Sequence, residues 1–245
     1  MTDEAQRGWA HCRHTIAAAV DEVFGVVRAV RDEALDLHAS AAQRGQRLVA
    51  ADVAALGNHV RQRLQQPGSL VAGLGLIVAP DVLADRHLHV EWWQTVPGRD
   101  EPEPLRVDLD PASTGFYDYA TAEWFVAPRR TRLRHVEGPY VDVHGTGAYV
   151  LTFSMPIQAG DEFLGVAGAD VPASWLEDRL PDELAGVADV VVVNAVGRVV
   201  LSSSPDWLVG ELVPPRRLRS ASEEDLEGLP WRAVRLPLVQ SALGS

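Results

Sequence analysis

The sequence predicts an α+β fold in which long N-terminal helices precede a domain with a central antiparallel sheet. Two observations predict it. Apolar residues recur at helical spacing from residue 5 to residue 66, and after Gly68 they give way to short runs of β-branched and aromatic residues. These runs occur as two strands, a long connection, three strands joined by short turns, and then a helix, which is typical of an α+β domain.

The composition indicates a folded, acidic protein. Of 245 residues, 47% are hydrophobic and 23% are charged, a balance that supports a substantial core. The 22 basic and 34 acidic residues give a net charge of −12, which repels phosphate backbones and anionic headgroups. Nucleic acid and membrane surfaces are therefore not expected as partners. The single Cys12 cannot close an internal disulfide.

The N-terminal segment carries acidic residues immediately and lacks an apolar run of signal-peptide length. No stretch approaches the roughly 18 uninterrupted apolar residues that a membrane-spanning helix needs. The sequence therefore predicts a cytoplasmic location.

Two long amphipathic helices are predicted before the sheet. A break is expected between Ser40 and Gly45, and Gln66-Pro67-Gly68 ends the second helix. This pattern predicts a helical region at 1–66 and a sheet domain at 67–245. The second helix is expected to pack on the sheet. The first helix has two alternatives, since its apolar stripe can form a homodimer or docking surface or can fold back on its own core.

The β-rich part contains several candidate strands and one further helix. Residues 98–115 form a polar connection with one short edge strand at 105–109, and 117–125 is predicted to be a helical turn rich in aromatic residues. Residues 214–230 are predicted to be a polar loop. The strands are predicted at 70–79, 87–96, 138–143, 148–158, 162–169, 189–195, 198–203 and 231–239, with a helix at 172–184.

Three segments in order resemble a known family. They are GPYVD at 138–142, the strand at 149–157 that ends in MPI, and FLGVAGADV at 163–171. Together they resemble the Cache sensor domain, a PAS-like module of bacterial receptors, over about residues 43–210. The hairpin at 193–200 resembles the start of a second such module. The resemblance implies a small-molecule pocket on one sheet face. Family members usually lie between transmembrane helices and feed an output domain; since this sequence shows neither, we expect the signal to pass to a separate regulatory protein, or the domain to act as a binding protein alone.

The resemblance also implies site residues. Family members that bind amino acids use a Tyr, an Arg five positions later, a Trp two beyond it, an adjacent aromatic residue and an Asp on the last core strand. Tyr117, Trp124, Phe125 and Asp170 occupy those positions, but Ala122 stands where the arginine should be. Alanine cannot grip a carboxylate as a guanidinium does.

Two arginines could supply that cation from another direction. Arg129 and Arg130 follow Pro128 closely in the sequence. An α-amino acid therefore remains the alternative ligand.

The residues themselves favour an amine ligand. Aromatic and acidic side chains alternate between positions 91 and 170, and ring faces with carboxylates attract a desolvated ammonium group, by about 0.5 to 2 kcal/mol for each cation–π contact. The candidate ligand-binding residues are Glu91, Trp93, Tyr117, Asp118, Tyr119, Trp124, Phe125, Tyr140, Asp142 and Asp170.

Several of these candidates also have structural interpretations. Trp92 and Trp93 are adjacent on a strand and point to opposite faces, so only one can line a given pocket; Glu91 shares the face of Trp93, which favours that pair. Asp170 could instead cap a following helix. Tyr119 and Phe125 could be core residues, and Asp142 could order the turn at 144–147.

Two other classes of function remain open. His87, His89 and Glu91 alternate along one strand, a pattern that could ligate a metal in a cupin-like enzyme. The sequence carries no nucleophile-elbow or phosphate-loop motif, so we expect no enzymatic activity, cofactor or metal. The third class is an interaction module whose sheet binds no ligand.

Overall fold

The computed structural model describes residues 3–143, 147–179, 190–218, 222–226 and 228–235. The contacts divide the chain into two compact units, one of residues 22–172 and one of residues 1–21 with 173–245. The predicted division after residue 66 does not coincide with this one. The predicted turn at 144–146 and the ends of the predicted helix and closing strand, at 180–184 and 236–239, lie outside the described residues.

Three helices open the chain. Helix α1 spans Asp3–Gln43 and ends inside the predicted break. The second predicted helix is replaced by two short ones, α2 at Ala50–Ala54 and α3 at Gly57–Leu64. Two carboxylates cap the start of α2: Asp52 accepts the backbone N–H of Val49 at 3.0 Å, and Asp85, which helical periodicity cannot predict, accepts that of Ala50 at 2.9 Å. None of the described helices combines the length and apolar character needed to cross a membrane.

The apolar stripe of α1 is buried within the chain. Ile16, Val27 and Val30 have no exposed surface. In the unit of residues 22–172, the ring of Phe24 packs edge-on against Phe153 of the sheet, with 5.2 Å between centroids. This favours the alternative in which the helix folds back on its own core.

The unit of residues 22–172 is built on a six-stranded antiparallel sheet, which confirms the predicted fold class. Its strand order is β3-β2-β1-β6-β5-β4. The edge strand lies slightly earlier than the predicted 105–109, because residues 103–104 pair with β2. The strands are β1 Gly73–Val78, β2 His89–Gln94, β3 Glu103–Pro104, β4 His135–Val141, β5 Tyr149–Ala159 and β6 Glu162–Pro172.

An aromatic helical segment packs against this sheet, as predicted. A 3₁₀ turn at Tyr119–Thr121 leads into α4 at Glu123–Thr131, which contacts β4, β5 and β6. The ring of Phe125 lies 5.5 Å from those of both Tyr119 and Phe163. These edge-to-face contacts fix the start of α4 and the loop before it.

The described part of the second unit contains a four-stranded antiparallel sheet of order β8-β7-β10-β9. The predicted loop at 214–230 holds the short helix α6 and the strand β9, because residues 222–225 pair with β10. Its elements are α5 Trp175–Arg179, β7 Val190–Asn194, β8 Val199–Ser202, α6 Pro215–Leu218, β9 Ser222–Asp225 and β10 Trp231–Arg235.

Candidate functional site

One face of the six-stranded sheet carries a pocket with a cavity volume of about 30 Å³ that opens to solvent. Alternate residues of five strands point into it, as the period of two along a strand requires. Side chains from α4 and from the loops complete the wall. The lining residues are Ile77, Val90, Trp92, Leu105, Tyr117, Trp124, Tyr140, Asp142, Thr152, Ser154, Val166, Gly168 and Asp170.

Glycines make room for Trp92 on the sheet. Gly75 is paired with Trp92 on one side and with Gly168 on the other. A Cβ added at Gly73 would stand 2.8 Å from Trp92 Nε1, and one at Gly168 would stand 3.4 Å from the far end of the indole ring. The indole therefore lies against two positions that have no side chain, and it forms part of the pocket floor.

The polar centre of the pocket is a hydrogen-bonded chain of three side chains. The pairing of β5 with β6 places Thr152 opposite Asp170, and Thr152 Oγ1 donates to Asp170 Oδ1 at 2.5 Å. Tyr140 Oη lies 2.7 Å from Thr152 Oγ1. Asp170 is only 7% exposed. These hydrogen bonds therefore join the buried carboxyl group of Asp170 to the phenol of Tyr140 at the pocket wall.

Burial controls the ionisation of Asp170. Loss of solvation raises the pKa of this carboxyl to about 7; the hydrogen bond from Thr152 opposes that rise, and the charge of Asp142 adds to it. Asp170 can therefore change its charge near neutral pH.

Both tyrosines of the pocket are affected by the two carboxylates. Burial raises the pKa of Tyr117 and Tyr140 well above the ordinary range, and the negative charges of Asp142 and Asp170 raise both further. Both phenols are therefore neutral at physiological pH. The shared influence indicates that the two carboxyl groups and the two phenols form one electrostatic cluster.

The structure brings five of the ten predicted site residues together around this pocket. Their part in ligand binding stays a prediction. The five are Tyr117, Trp124, Tyr140, Asp142 and Asp170. The alternative role of Asp170 as a helix cap does not hold, because β6 continues to Pro172 and the carboxyl group bonds within the sheet.

Glu91 and Trp93 lie outside the pocket, contrary to expectation. Glu91 Oε1 accepts a hydrogen bond from Trp93 Nε1 at 2.8 Å, and the guanidinium of Arg61 lies 5.0 Å from the Trp93 ring. A Cβ on Gly57 of α3 would stand 2.7 Å from Glu91 Oε1. This pair therefore packs against α3, and its neighbour Trp92 points into the pocket instead.

The other three predicted residues are also outside the pocket lining. Tyr119 is 1% exposed and Phe125 is fully buried in the aromatic core beside the sheet. The Tyr119 hydroxyl donates to the carbonyl of Val78 at 2.7 Å. Asp118 is exposed. Tyr119 and Phe125 therefore lie in the core, as their structural interpretation predicted.

Sequence reasoning missed the residues that share strand faces with the predicted ones. Ser154 follows Thr152 at the next inward position of β5, and Val166 and Gly168 precede Asp170 in the same way on β6. The alternation of side chains along a strand, with its period of two, could have identified these inward positions. Trp92 was the alternative to Trp93, and the residues missed altogether are Ile77, Val90, Leu105, Thr152, Ser154, Val166 and Gly168.

The described pocket wall carries no basic side chain. The two arginines considered as substitutes for the missing one make contacts elsewhere. Arg129 lies 5.9 Å from the ring of Phe163, and Arg130 pairs with Glu123 at 3.1 Å. Among the described lining residues, the ionisable groups are therefore acids and phenols.

The histidines considered as metal ligands are separated in the structure. His87 precedes β2 and lies 2.8 Å from the carboxylate of Asp81, while His89 lies 3.8 Å from that of Glu91. Within the described ranges, no three His, Cys, Asp or Glu side chains are arranged to hold a metal ion. The geometry gives no support to the cupin-like alternative.

Comparison with known proteins supports a Cache-type sensor domain in outline. Residues 105–178 match the family model of the first PDC sensor domain of methyl-accepting chemotaxis-like proteins. The match includes much of the pocket and covers less than half of the chain. A comparison with curated protein sequences finds no match.

Solved structures share the fold. The ligand-binding domain of the Campylobacter jejuni chemoreceptor Tlp3, in complex with L-norvaline, has a TM-score of 0.61 at 12% identity, over 96% of this chain and 92% of that one. The ligand-binding domain of the Pseudomonas aeruginosa amino acid chemoreceptor PctC, in complex with GABA, has a TM-score of 0.50 at 16% identity, over 96% of each chain. At these identities the similarity shows the fold.

A third structure bears on location. The extracellular domain of soHK1S-Z6, described as a histidine kinase, has a TM-score of 0.61 at 15% identity, over 93% of this chain and 89% of that one. The prediction of a cytoplasmic location is wrong, because domains of this fold are found as extracellular parts of sensors.

Proposed function

We propose that this chain is the sensing domain of an extracytoplasmic signalling system and that its pocket binds a small molecule carrying an ammonium group. One observation carries the proposal: two carboxyl groups and several aromatic rings surround a single pocket, and no described lining residue is basic. The extracellular origin of the structurally similar sensor domains supports the location.

An ammonium group fits this pocket on electrostatic grounds. The rings of Trp92, Tyr117, Trp124 and Tyr140 line the pocket, and aromatic rings attract a cation strongly through their faces when water is excluded. The carboxylate of Asp170 can accept a charge-assisted hydrogen bond from it. An ammonium group would also offset the repulsion that Asp170 experiences from Asp142.

An α-amino acid is the second candidate, and Ser154 favours it. The Ser154 hydroxyl lines the pocket, is in a residue only 1% exposed, and has no hydrogen-bond partner among the described residues. A buried hydroxyl without a partner is costly unless a ligand or water completes it. It could donate to the carboxylate of an amino acid such as the norvaline bound by Tlp3.

A matched set of three compounds separates these candidates in isothermal titration. L-Norvaline carries both charged groups, butylamine only the amine, and pentanoate only the carboxylate. We expect butylamine to bind and pentanoate not to bind. Binding of norvaline but not butylamine would favour the amino-acid candidate, and binding of pentanoate alone would contradict both.

Asp170→Asn tests the proposed ammonium contact. We expect affinity for butylamine at about pH 8 to fall at least thirtyfold, since a hydrogen bond to a charged group contributes about 2 kcal/mol or more. Asp118→Asn is the matched control, because Asp118 is exposed and outside the pocket. Equal losses in both variants would contradict a specific role for Asp170.

We further propose that the domain has no enzymatic activity and passes its signal to a separate regulatory protein, and that it forms a homodimer. The buried apolar stripe of α1 is unsuited to the dimer contact, so another face would have to supply it. Sedimentation of the full chain measures the oligomeric state. The interaction-module alternative predicts that no compound in an amine and amino-acid panel raises the melting temperature.

A further inference from the structure

The side chain of Thr152 links two groups that line the pocket, Asp170 and Tyr140. It lies 2.5 Å from Asp170 on one side and 2.7 Å from Tyr140 on the other, and it is 5% exposed. A threonine hydroxyl has one hydrogen to donate. When Thr152 gives that hydrogen to Asp170, the short contact with Tyr140 requires the phenol to donate; once Asp170 no longer takes it, the hydrogen is free to point to Tyr140.

We infer that Thr152 is a specificity-determining residue: its hydroxyl relays the ionisation state of Asp170 to Tyr140 and thereby sets whether Tyr140 offers the ligand an acceptor oxygen or a donor hydrogen. This inference deepens the proposed function and, as far as ligand choice is concerned, rests on it.

With Asp170 ionised, every hydrogen bond of the chain points toward the carboxylate. Thr152 gives its hydrogen to Asp170, so the short contact with Tyr140 requires the phenol to donate to Thr152. Tyr140 then has only lone pairs to offer the pocket. Together with the carboxylate, this arrangement suits a ligand that donates hydrogen bonds, such as an ammonium group.

With Asp170 protonated, the chain reverses. The carboxylic acid donates to Thr152, Thr152 donates to Tyr140, and the phenol hydrogen becomes available to the pocket. Ammonium binding loses the carboxylate and gains no acceptor in exchange. The protonated pocket therefore suits a ligand group that accepts hydrogen bonds.

Of the other titratable groups facing Asp170, Asp142 favours the protonated form of Asp170, and the two tyrosines stay neutral. Asp142, which follows β4, raises the pKa of Asp170 through its negative charge. The phenols of Tyr117 and Tyr140 have pKa values raised above the ordinary range and remain protonated. In the described pocket wall, Asp170 is thus the group whose titration near neutral pH drives the relay.

Carbon-13 NMR of the ligand-free protein tests the relay without assuming any ligand. The Cγ shift of Asp170 and the Cζ shift of Tyr140 are followed against pH in wild type, Thr152→Val and Thr152→Ser. In wild type and Thr152→Ser, we expect the Cζ shift of Tyr140 to change with the same midpoint as the Cγ shift of Asp170. In Thr152→Val the Tyr140 response should be largely lost, and the Asp170 midpoint should move to higher pH, because the hydrogen bond that favours the carboxylate is gone.

An unchanged Tyr140 response in Thr152→Val would overturn the inference, since field effects alone would then explain it. If Thr152→Val does not fold, Thr152→Ala provides a second variant that lacks the hydroxyl, and the same loss of the Tyr140 response is expected in it. An unchanged Tyr140 response in Thr152→Ala also overturns the inference.

Binding measurements then connect the relay to ligand choice. Butylamine stays charged over the range of about pH 5.5 to 8.5. As pH increases toward the Asp170 midpoint, the affinity for butylamine should therefore rise about tenfold per pH unit, and above the midpoint it should level off. At about pH 7, Thr152→Val should bind it about tenfold more weakly, and Thr152→Ser should match wild type. No binding by wild type at any pH refutes the proposed function, whereas equal pH profiles in wild type and Thr152→Val refute the relay.

Discussion

Replacing Asp170 with asparagine is expected to make the unliganded protein more stable at about pH 8 while changing its stability little at about pH 4. The pKa of Asp170 is raised from its ordinary 3.8 to about 7 in the folded protein, chiefly by burial. The folded state therefore holds this proton more tightly than the unfolded state. The resulting stabilisation is fully present below the ordinary pKa and is lost as pH rises through 7.

The size of this effect follows from the shift. About three pKa units correspond to about 4 kcal/mol, a large part of the stability of a typical domain. Urea unfolding of wild type and Asp170→Asn at intervals from about pH 4 to pH 8 measures it as the difference between the two curves. Other titrating groups are shared by both proteins and cancel. Parallel curves would mean that Asp170 ionises at its ordinary pKa.

Gly75→Ala is expected to destabilise the unit of residues 22–172 by at least about 3 kcal/mol. An ideal Cβ on Gly75 would stand 2.1 Å from the backbone oxygen of Glu91 and 2.8 Å from the Cα of Trp92. These are backbone atoms of the paired strand β2, which cannot move away without opening the sheet. Chemical denaturation followed by tryptophan fluorescence measures the loss.

The matched control for this substitution is Gly25→Ala. Gly25 is an exposed position within α1, and a Cβ there would meet nothing within 4 Å. Alanine in a helix is favoured over glycine by about 0.5 to 1 kcal/mol, so this variant should be slightly more stable than wild type. Similar destabilisation by both substitutions would mean that strand contact is not the cause.

The two tests share a physical basis in the sheet beneath the pocket. The close approach of β1 and β2 at Gly75 holds Trp92 in the floor, and the pairing of β5 with β6 holds Thr152 against Asp170. Above neutral pH the buried carboxylate destabilises the fold, and the proposed ammonium ligand would offset this effect. A binding site that lowers the stability of the unliganded protein is a common consequence of selecting for function.

The sequence predicted the helices and strands better than it predicted which face of an element each residue occupies. Helical spacing identified α1, and short β-branched runs identified the strands, because each pattern is local. Helix α2 begins where Asp85, distant in sequence, accepts the N–H of Ala50. Strand β9 exists through its pairing with β10. Neither contact leaves a local signal, so both elements departed from expectation.

Adjacent aromatic residues illustrate the same limit within the site. The sequence does not distinguish Trp92 from Trp93 as a pocket residue. In the structure only Trp92 faces Gly75 and the pocket, while Trp93 packs near α3. On α4, Trp124 lines the pocket and Phe125 is buried in the core. A shift of one residue exchanges the two faces of a strand, and only the pairing register decides between them.

By itself, the sequence determined the α+β class, the long first helix, and the enrichment of rings and acids in the central part of the chain. Those features depend on local periodicity and composition. The tertiary structure alone decided which of those residues meet. It joined Asp170 to Thr152 and Tyr140 across β5 and β6 and turned Glu91 away from the pocket, because strand pairing brings together residues far apart in the chain. The ionisation of Asp170 near neutral pH follows from that burial and has no counterpart in the sequence.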